Sequence, residues 1–179
     1  GVNVFVDDEG KLTSEIYVPA YVRRYPFMLA RLRPDSEDLS LCFDPSSGAL
    51  GEFEDGTALF DGADPSQMTK DILGFCERFA QAAMQTGQFV RELAEHKLLI
   101  DGEVSIQPDG AAQPFVYRGF QMVSEEAVRN LRGDVLRKMI QSGMLPLIFA
   151  HLFSLSLVRE IFGKQMMLGK VPAQVPANA

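Results

Sequence analysis

The chain has 179 residues, 46% of them hydrophobic, enough for a globular domain with its own core. Its 24 acidic residues outweigh 17 basic ones, and the net charge of −7 argues against nucleic acid or an anionic membrane surface as a main partner. The only two cysteines, Cys42 and Cys76, are too few for a disulfide framework; they read as reduced core thiols, which makes the cytoplasm the simplest compartment.

In chain order, Val2 to Val6 is rich in β-branched residues and ends at Asp7-Asp8-Glu9-Gly10, a strand followed by a turn. The densest stretch comes next, with Tyr17, Tyr21 and Tyr25, the adjacent Arg23 and Arg24, and Pro19 and Pro26. Pro19 suits the first turn of a helix and Pro26 ends it, so a two-turn helix is predicted. Val18, Tyr21, Val22 and Tyr25 then line one face of it, with Arg23 and Arg24 to the side and away from that face. Phe27 to Leu32 and Leu39 to Phe43 read as an antiparallel hairpin across the Pro34-Asp35 loop. Asp44 to Asp64 reads as a long acidic loop anchored by Phe53, Leu59 and Phe60.

Asp64 as cap, Pro65 at the first helical position and Gln67 reaching back predict a helix that runs to Lys97. Its stripe of Ile72, Phe75, Phe79, Phe89 and Leu93 should pack on a sheet face. Leu98 to Ile100 and Val104 to Gln107 pair with Phe115 to Val123 in a second hairpin. Ser124 caps the next helix, with Glu125 and Glu126 in its first turn. Another runs from Asp134 to Ser142 and stops at Gly143.

An apolar helix follows from Met144 to Phe162. A membrane span needs about 20 apolar residues, and the membrane-like part, Met144 to Val158, is interrupted by Pro146 and His151. It therefore reads as a buried helix and no membrane span is expected. The resulting fold class is α+β: antiparallel β-hairpins packed against one long amphipathic helix and a C-terminal helical segment, one domain over residues 1–167. Residues 168–179 read as an extended Pro/Ala-rich tail, in which Val171 to Pro176 should lie on another chain or in a groove of this one, supporting a homodimer.

Chemistry is harder to find. His96 and His151 belong to no paired ligand motif, so no metal is assigned. Cys42 or Cys76 with His151 makes a formal nucleophile pair, but core packing explains both cysteines. There is no phosphate loop, dinucleotide fingerprint or Gly-x-Ser-x-Gly elbow; no cofactor and no catalytic residue are assigned, and enzymatic activity is unsupported. Packing explains Tyr17, Tyr21, Arg23, Arg24, Tyr25, Tyr117, Arg118 and His151 least. Arginine forks and tyrosine hydroxyls recognise carboxylates and peptide backbones. Arg23, Arg24, Tyr25, Tyr117, Arg118 and His151 are therefore the candidate ligand-binding residues, for a peptide or small anion. The plainer alternative pairs the arginines with the chain's many acids and leaves His151 a satisfied core histidine, buried and bonded to Tyr25, Tyr117 or a backbone carbonyl.

The run Tyr17-Val18-Pro19-Ala20-Tyr21-Val22-Arg23-Arg24-Tyr25-Pro26-Phe27 resembles the signature of the SapC family, a bacterial group named for association with a surface-layer locus. Leu39 to Asp44, Leu59-Phe60-Asp61, Phe75 to Phe79, Tyr117 to Phe120 and Leu147 to Leu155 continue the resemblance in order, over nearly the whole chain. It transfers no catalytic residue. It implies a non-enzymatic, surface-layer-associated accessory or interaction protein, and with it a cell-surface association. The alternative is a small-ligand or peptide-binding module using the Arg, Tyr and His groups above, with any enzymatic activity unsignalled. Members of the family usually carry several dozen further N-terminal residues, including another Tyr-Pro segment, and relative to them this sequence starts late.

Overall fold

A computed structural model describes residues 3–13 and 16–170. Its elements are helices and short antiparallel ribbons, the expected α+β class. Tyr17–Gln88 form one compact unit, and the described residues of Gly1–Ile16 and Phe89–Ala179 form another.

In the first unit the chain enters through Pro19, extended at φ −55° and ψ 143°, into helix α1, Ala20–Arg23. The helix is one turn rather than two. Arg24 to Pro26 are already a turn, in which the Tyr25 N–H donates to Val22 O (3.1 Å) and the Phe27 N–H to Arg24 O (2.8 Å). The Tyr25–Pro26 peptide is cis. Strand β1, Phe27–Ala30, pairs antiparallel with β2, Ser40–Phe43, setting Phe27 opposite Phe43 and Ala30 opposite Ser40.

Asp44 then caps a 3-10 turn, Pro45–Ser47, by accepting from the Ser46 N–H, and Gly48 closes it at φ 67°, a conformation glycine adopts without strain. Of the three expected loop anchors only Leu59 is half-buried; Phe53 and Phe60 are exposed. Phe53 instead lies over Gly51 and Gly56 of its own loop, which lets the ring pack without reaching a core.

Strands β3, Phe60–Asp61, and β4, Asp64–Pro65, form a small ribbon, so Asp64 and Pro65 are strand residues and do not start the long helix. Ser66 does, because it is the first hydroxyl beyond the ribbon. Its Oγ accepts from the Thr69 N–H (3.3 Å) while its own N–H is tied to Leu59 O (2.9 Å). Helix α2 runs over Gln67–Glu95 and crosses from one unit into the other.

The second unit begins with the end of α2. Lys97 takes a left-handed conformation (φ 54°), and the Leu98 N–H reaches back to Leu93 O (2.9 Å), so that both leucines enter the core as the helix closes. Strand β5, Leu99–Ile106, pairs with β6, Phe115–Val123, with a register slip between Gly102 and Val104. At Gly102 a Cβ would overlap the ring of Phe120, its cross-strand neighbour, which explains the glycine.

Ser124 caps α3, Glu125–Arg129, as expected from its hydroxyl and the two glutamates behind it. Helix α4, Gly133–Gln141, stops before Gly143 (φ 77°), from which α5, Met144–Ser154, starts. A 3-10 turn, Leu155–Leu157, leads into α6, Val158–Met167. Leu93, Leu98, Val123, Val128, Met139, Met144 and Ile148 form the buried core, with Phe89, Leu99, Leu136 and Leu152 packed on it.

The C-terminal helices depart from the expected buried helix. Met144, Ile148 and Phe162 are buried, yet Leu147, Phe153 and Leu157 are 55, 73 and 49% exposed. Helix α5 is apolar on nearly every side, while the hairpin and α4 cover one side only. By length and composition Met144–Met167 is also sufficient to cross a membrane.

Near the start, the expected strand is reduced to one bridge between Val6 and Leu12 around the Asp7–Gly10 turn. Lys170 reaches Asp8 (2.8 Å) and Lys164 lies 4.5 Å over the Phe5 ring. The Val171 to Pro176 clasp lies outside the described residues.

Candidate functional site

Two adjacent arginines usually diverge; here both turn toward α2. Arg23 Cζ lies 5.5 Å from the Tyr17 ring centre and 5.3 Å from that of Phe75. Arg24 Cζ lies 4.7 Å from each of Tyr21 and Phe79, whose rings are 6.3 Å apart and tilted at 51°. Phe75 and Phe79 are four residues apart on α2, hence on one face, and each carries one guanidinium. This corrects the expected orientation of the short helix: the arginines face the long helix, and Tyr21, Val22 and Tyr25 are more than half exposed. The reason is that a guanidinium plane covers an aromatic face without giving up its in-plane donors, whereas a buried tyrosine hydroxyl needs its own partner.

The N-terminal part of the apolar stripe, Phe75 and Phe79, is thus covered by stacked arginines. Only Phe89 and Leu93 join the apolar core beside Leu98, Leu99 and Val123.

Neither arginine is engaged by a carboxylate among the described residues. Arg23 Nη2 has a long 3.5 Å contact to Tyr17 Oη, and the buried Arg24 Nε has no hydrogen-bond acceptor. Both side chains line a groove of about 380 Å³ together with Tyr25, Phe27, Met68 and Ile72. Cys76 is on its wall, and burial pushes that thiol upward, against a smaller opposing pull from Arg24. Cys42 and Cys76 are both free thiols. Tyr25 donates to Asp44 Oδ2 (3.2 Å); burial, then the Asp44 bond, push its phenol up.

The other three candidates belong to the second unit, where they are engaged separately. The Tyr117 hydroxyl donates to Gln165 Oε1, its ring meets Phe162 edge-on, and burial pushes its phenol up. Arg118, the next residue on β6 and so on the opposite face, donates from Nε to Glu103 Oε2 at 2.7 Å. His151 is half-buried, and its Nε2 accepts from the Val123 N–H (3.2 Å). An imidazole accepting there carries its proton on Nδ1. The partner is therefore a backbone donor at the end of β6, not the tyrosine or carbonyl expected, because α5 runs past the strand's last amide.

Sequence reasoning did not pick out Phe75 and Phe79 as stacking platforms, Asp44 and Gln165 as tyrosine partners, or Cys76 as groove wall. The four-residue spacing of the two phenylalanines was the available signal; a contact some fifty residues distant in sequence leaves none at the arginines.

Comparison with curated proteins and with solved structures gives no match. The profile of the SapC family matches residues 1–161, and this match, with the Tyr17 to Phe27 signature now placed on α1 and its turn, shows that the chain belongs to the SapC family.

Proposed function

We propose that this SapC family member is a non-enzymatic accessory protein of the bacterial surface layer that docks to another protein through the exposed side of α5 and of the 3-10 turn that follows it. The observation that carries the reading is the apolar stripe Phe149, Phe153 and Leu157, at four-residue spacing. The two rings lie 6.1 Å apart, and Phe153 alone is 73% exposed. Surface aromatics aligned this way bury large area at small entropic cost when a partner covers them, and scattered single apolar residues do not. The surface-layer association that the resemblance implies supplies the setting, and the cell surface is the proposed place of action.

The test is a photo-cross-linking amino acid at position 153 of the full-length protein in the producing bacterium. The reading expects one cross-linked envelope protein, lost when Leu157→Asp is added. A self-adduct alone would replace this reading with the homodimer, and an adduct to lipid alone would replace it with a bilayer contact.

A second reading, the ligand-binding module, is favoured by the unpaired Arg23 and Arg24 beside Tyr25. Arg118 is ion-paired, and Tyr117 and His151 are each engaged within their own unit.

A further inference from the structure

We propose that the groove between α1 and the first half of α2 binds a small apolar monocarboxylate, with its carboxylate on the edges of Arg23 and Arg24 and its apolar body along Phe27, Met68 and Ile72. The inference sharpens the ligand-binding reading and stands apart from the docking stripe, so the cross-link above and the binding below fail independently.

In a chain with 24 acidic residues, two neighbouring guanidinium groups remain outside every ion pair among the described residues. Each guanidinium lies over two rings, Arg23 over Tyr17 and Phe75 and Arg24 over Tyr21 and Phe79, with Arg24 Cζ at 4.7 Å from both of its rings. Stacking occupies the faces; Arg24 Nε is buried, and the remaining Nη edges are the part that matches a carboxylate. A donor held in place before binding also loses little freedom when it binds.

Charge on the walls sets the ligand's charge. Asp71 is the one carboxylate lining the groove, and its Oδ1 is already held by Gln67 Nε2 at 2.9 Å. Cys76 and Tyr25 remain neutral, the thiol through burial and the phenol through burial and its bond to Asp44. Two guanidinium groups against one carboxylate leave a single positive charge, which suits a monoanion better than a phosphate dianion. The remaining wall is apolar, and about 380 Å³ is at the small end of ligand-site volumes, fit for one side-chain-sized body.

The probe is N-acetylphenylalanine, titrated calorimetrically into the full chain beside N-acetylphenylalaninamide and inorganic phosphate. We expect the acid to bind at least about tenfold more tightly than either, an effect of the size of one lost charge-assisted contact. Arg24→Gln should weaken the acid by a similar factor. Because Arg24 also stacks on Phe79, Met68→Trp provides a check that leaves both arginines in place: it fills the groove and should abolish binding with an unchanged melting temperature. A tetrapeptide ending in free phenylalanine that binds as tightly as the acid would identify the natural ligand as a chain end; weaker binding would identify it as a free small acid. Equal binding of acid and amide, tighter binding of phosphate, no binding of the acid, or full binding by a folded Met68→Trp variant would each overturn the proposal.

Discussion

The two units solve the same problem with different chemistry. In the second, Leu98 and Ile148 are completely buried and the core around them is aliphatic and closed. In Tyr17–Gln88 only Cys76 and Ser66 reach comparable burial, although this unit holds most of the chain's tyrosines and several phenylalanines. Its aromatic rings are spent on guanidinium stacking and on partly exposed surface. Aromatic density in a sequence therefore need not mark a core: rings adjacent to arginines can form a platform that keeps its polar edges accessible.

The largest expected effect lies in the closed core. Ile148→Ala should cost about 2–5 kcal/mol, since its surroundings cannot collapse into the space left. Urea unfolding measures it, and a cost below that range would mean that the core is looser than its burial indicates. At its margin, His151→Phe should cost about 1–3 kcal/mol by leaving the Val123 N–H without an acceptor. His151→Gln, which can offer its carbonyl oxygen, should recover part of that; equal losses for the two variants would remove the hydrogen bond as the cause.

The platform should respond more weakly. A loss of about 3–5 kcal/mol on truncation to alanine belongs to a ring closed on every side, and Phe79 is only half-buried. Phe79→Leu keeps apolar volume and removes the stack, for an expected cost of about 0.5–2 kcal/mol. In a double-mutant cycle with Arg24→Gln, a coupling near zero would break the contrast between the units.

The smallest effect concerns acid. The Ser46 hydroxyl first, then its N–H, and to a lesser degree Tyr25, hold the Asp44 carboxyl below its ordinary value of 3.8. A depressed folded value means that the stabilisation is complete above the ordinary aspartate range and is lost only as pH falls through the lower folded value. The Ser46 amide resonance should accordingly move below pH 3.8, and a midpoint at or above that value would contradict the cap.

What the sequence made legible was punctuation and periodicity. Ser124, Gly143 and the turn-flanked apolar runs announced their helices and hairpins because each signal is local. The helix start at Asp64 misled because pairing of β3 with β4 drew Asp64 and Pro65 into a strand and passed the cap to Ser66. Arg23 and Arg24 were legible as candidate residues, but their direction depended on Phe75 and Phe79, far along the chain. Tyr117 and His151 likewise looked unsatisfied until Gln165 and the Val123 amide, partners without a sequence signature, were in place.

Native-state hydrogen exchange tests the contrast between the units most directly, because it reports local opening residue by residue. The account predicts that the amides of Leu98, Val123 and Ile148 exchange only at the rate of global unfolding, and that those of Phe75 to Phe79 open well before it. Equal protection of the two sets would show that the arginine platform is as closed as the aliphatic core, and would contradict the account.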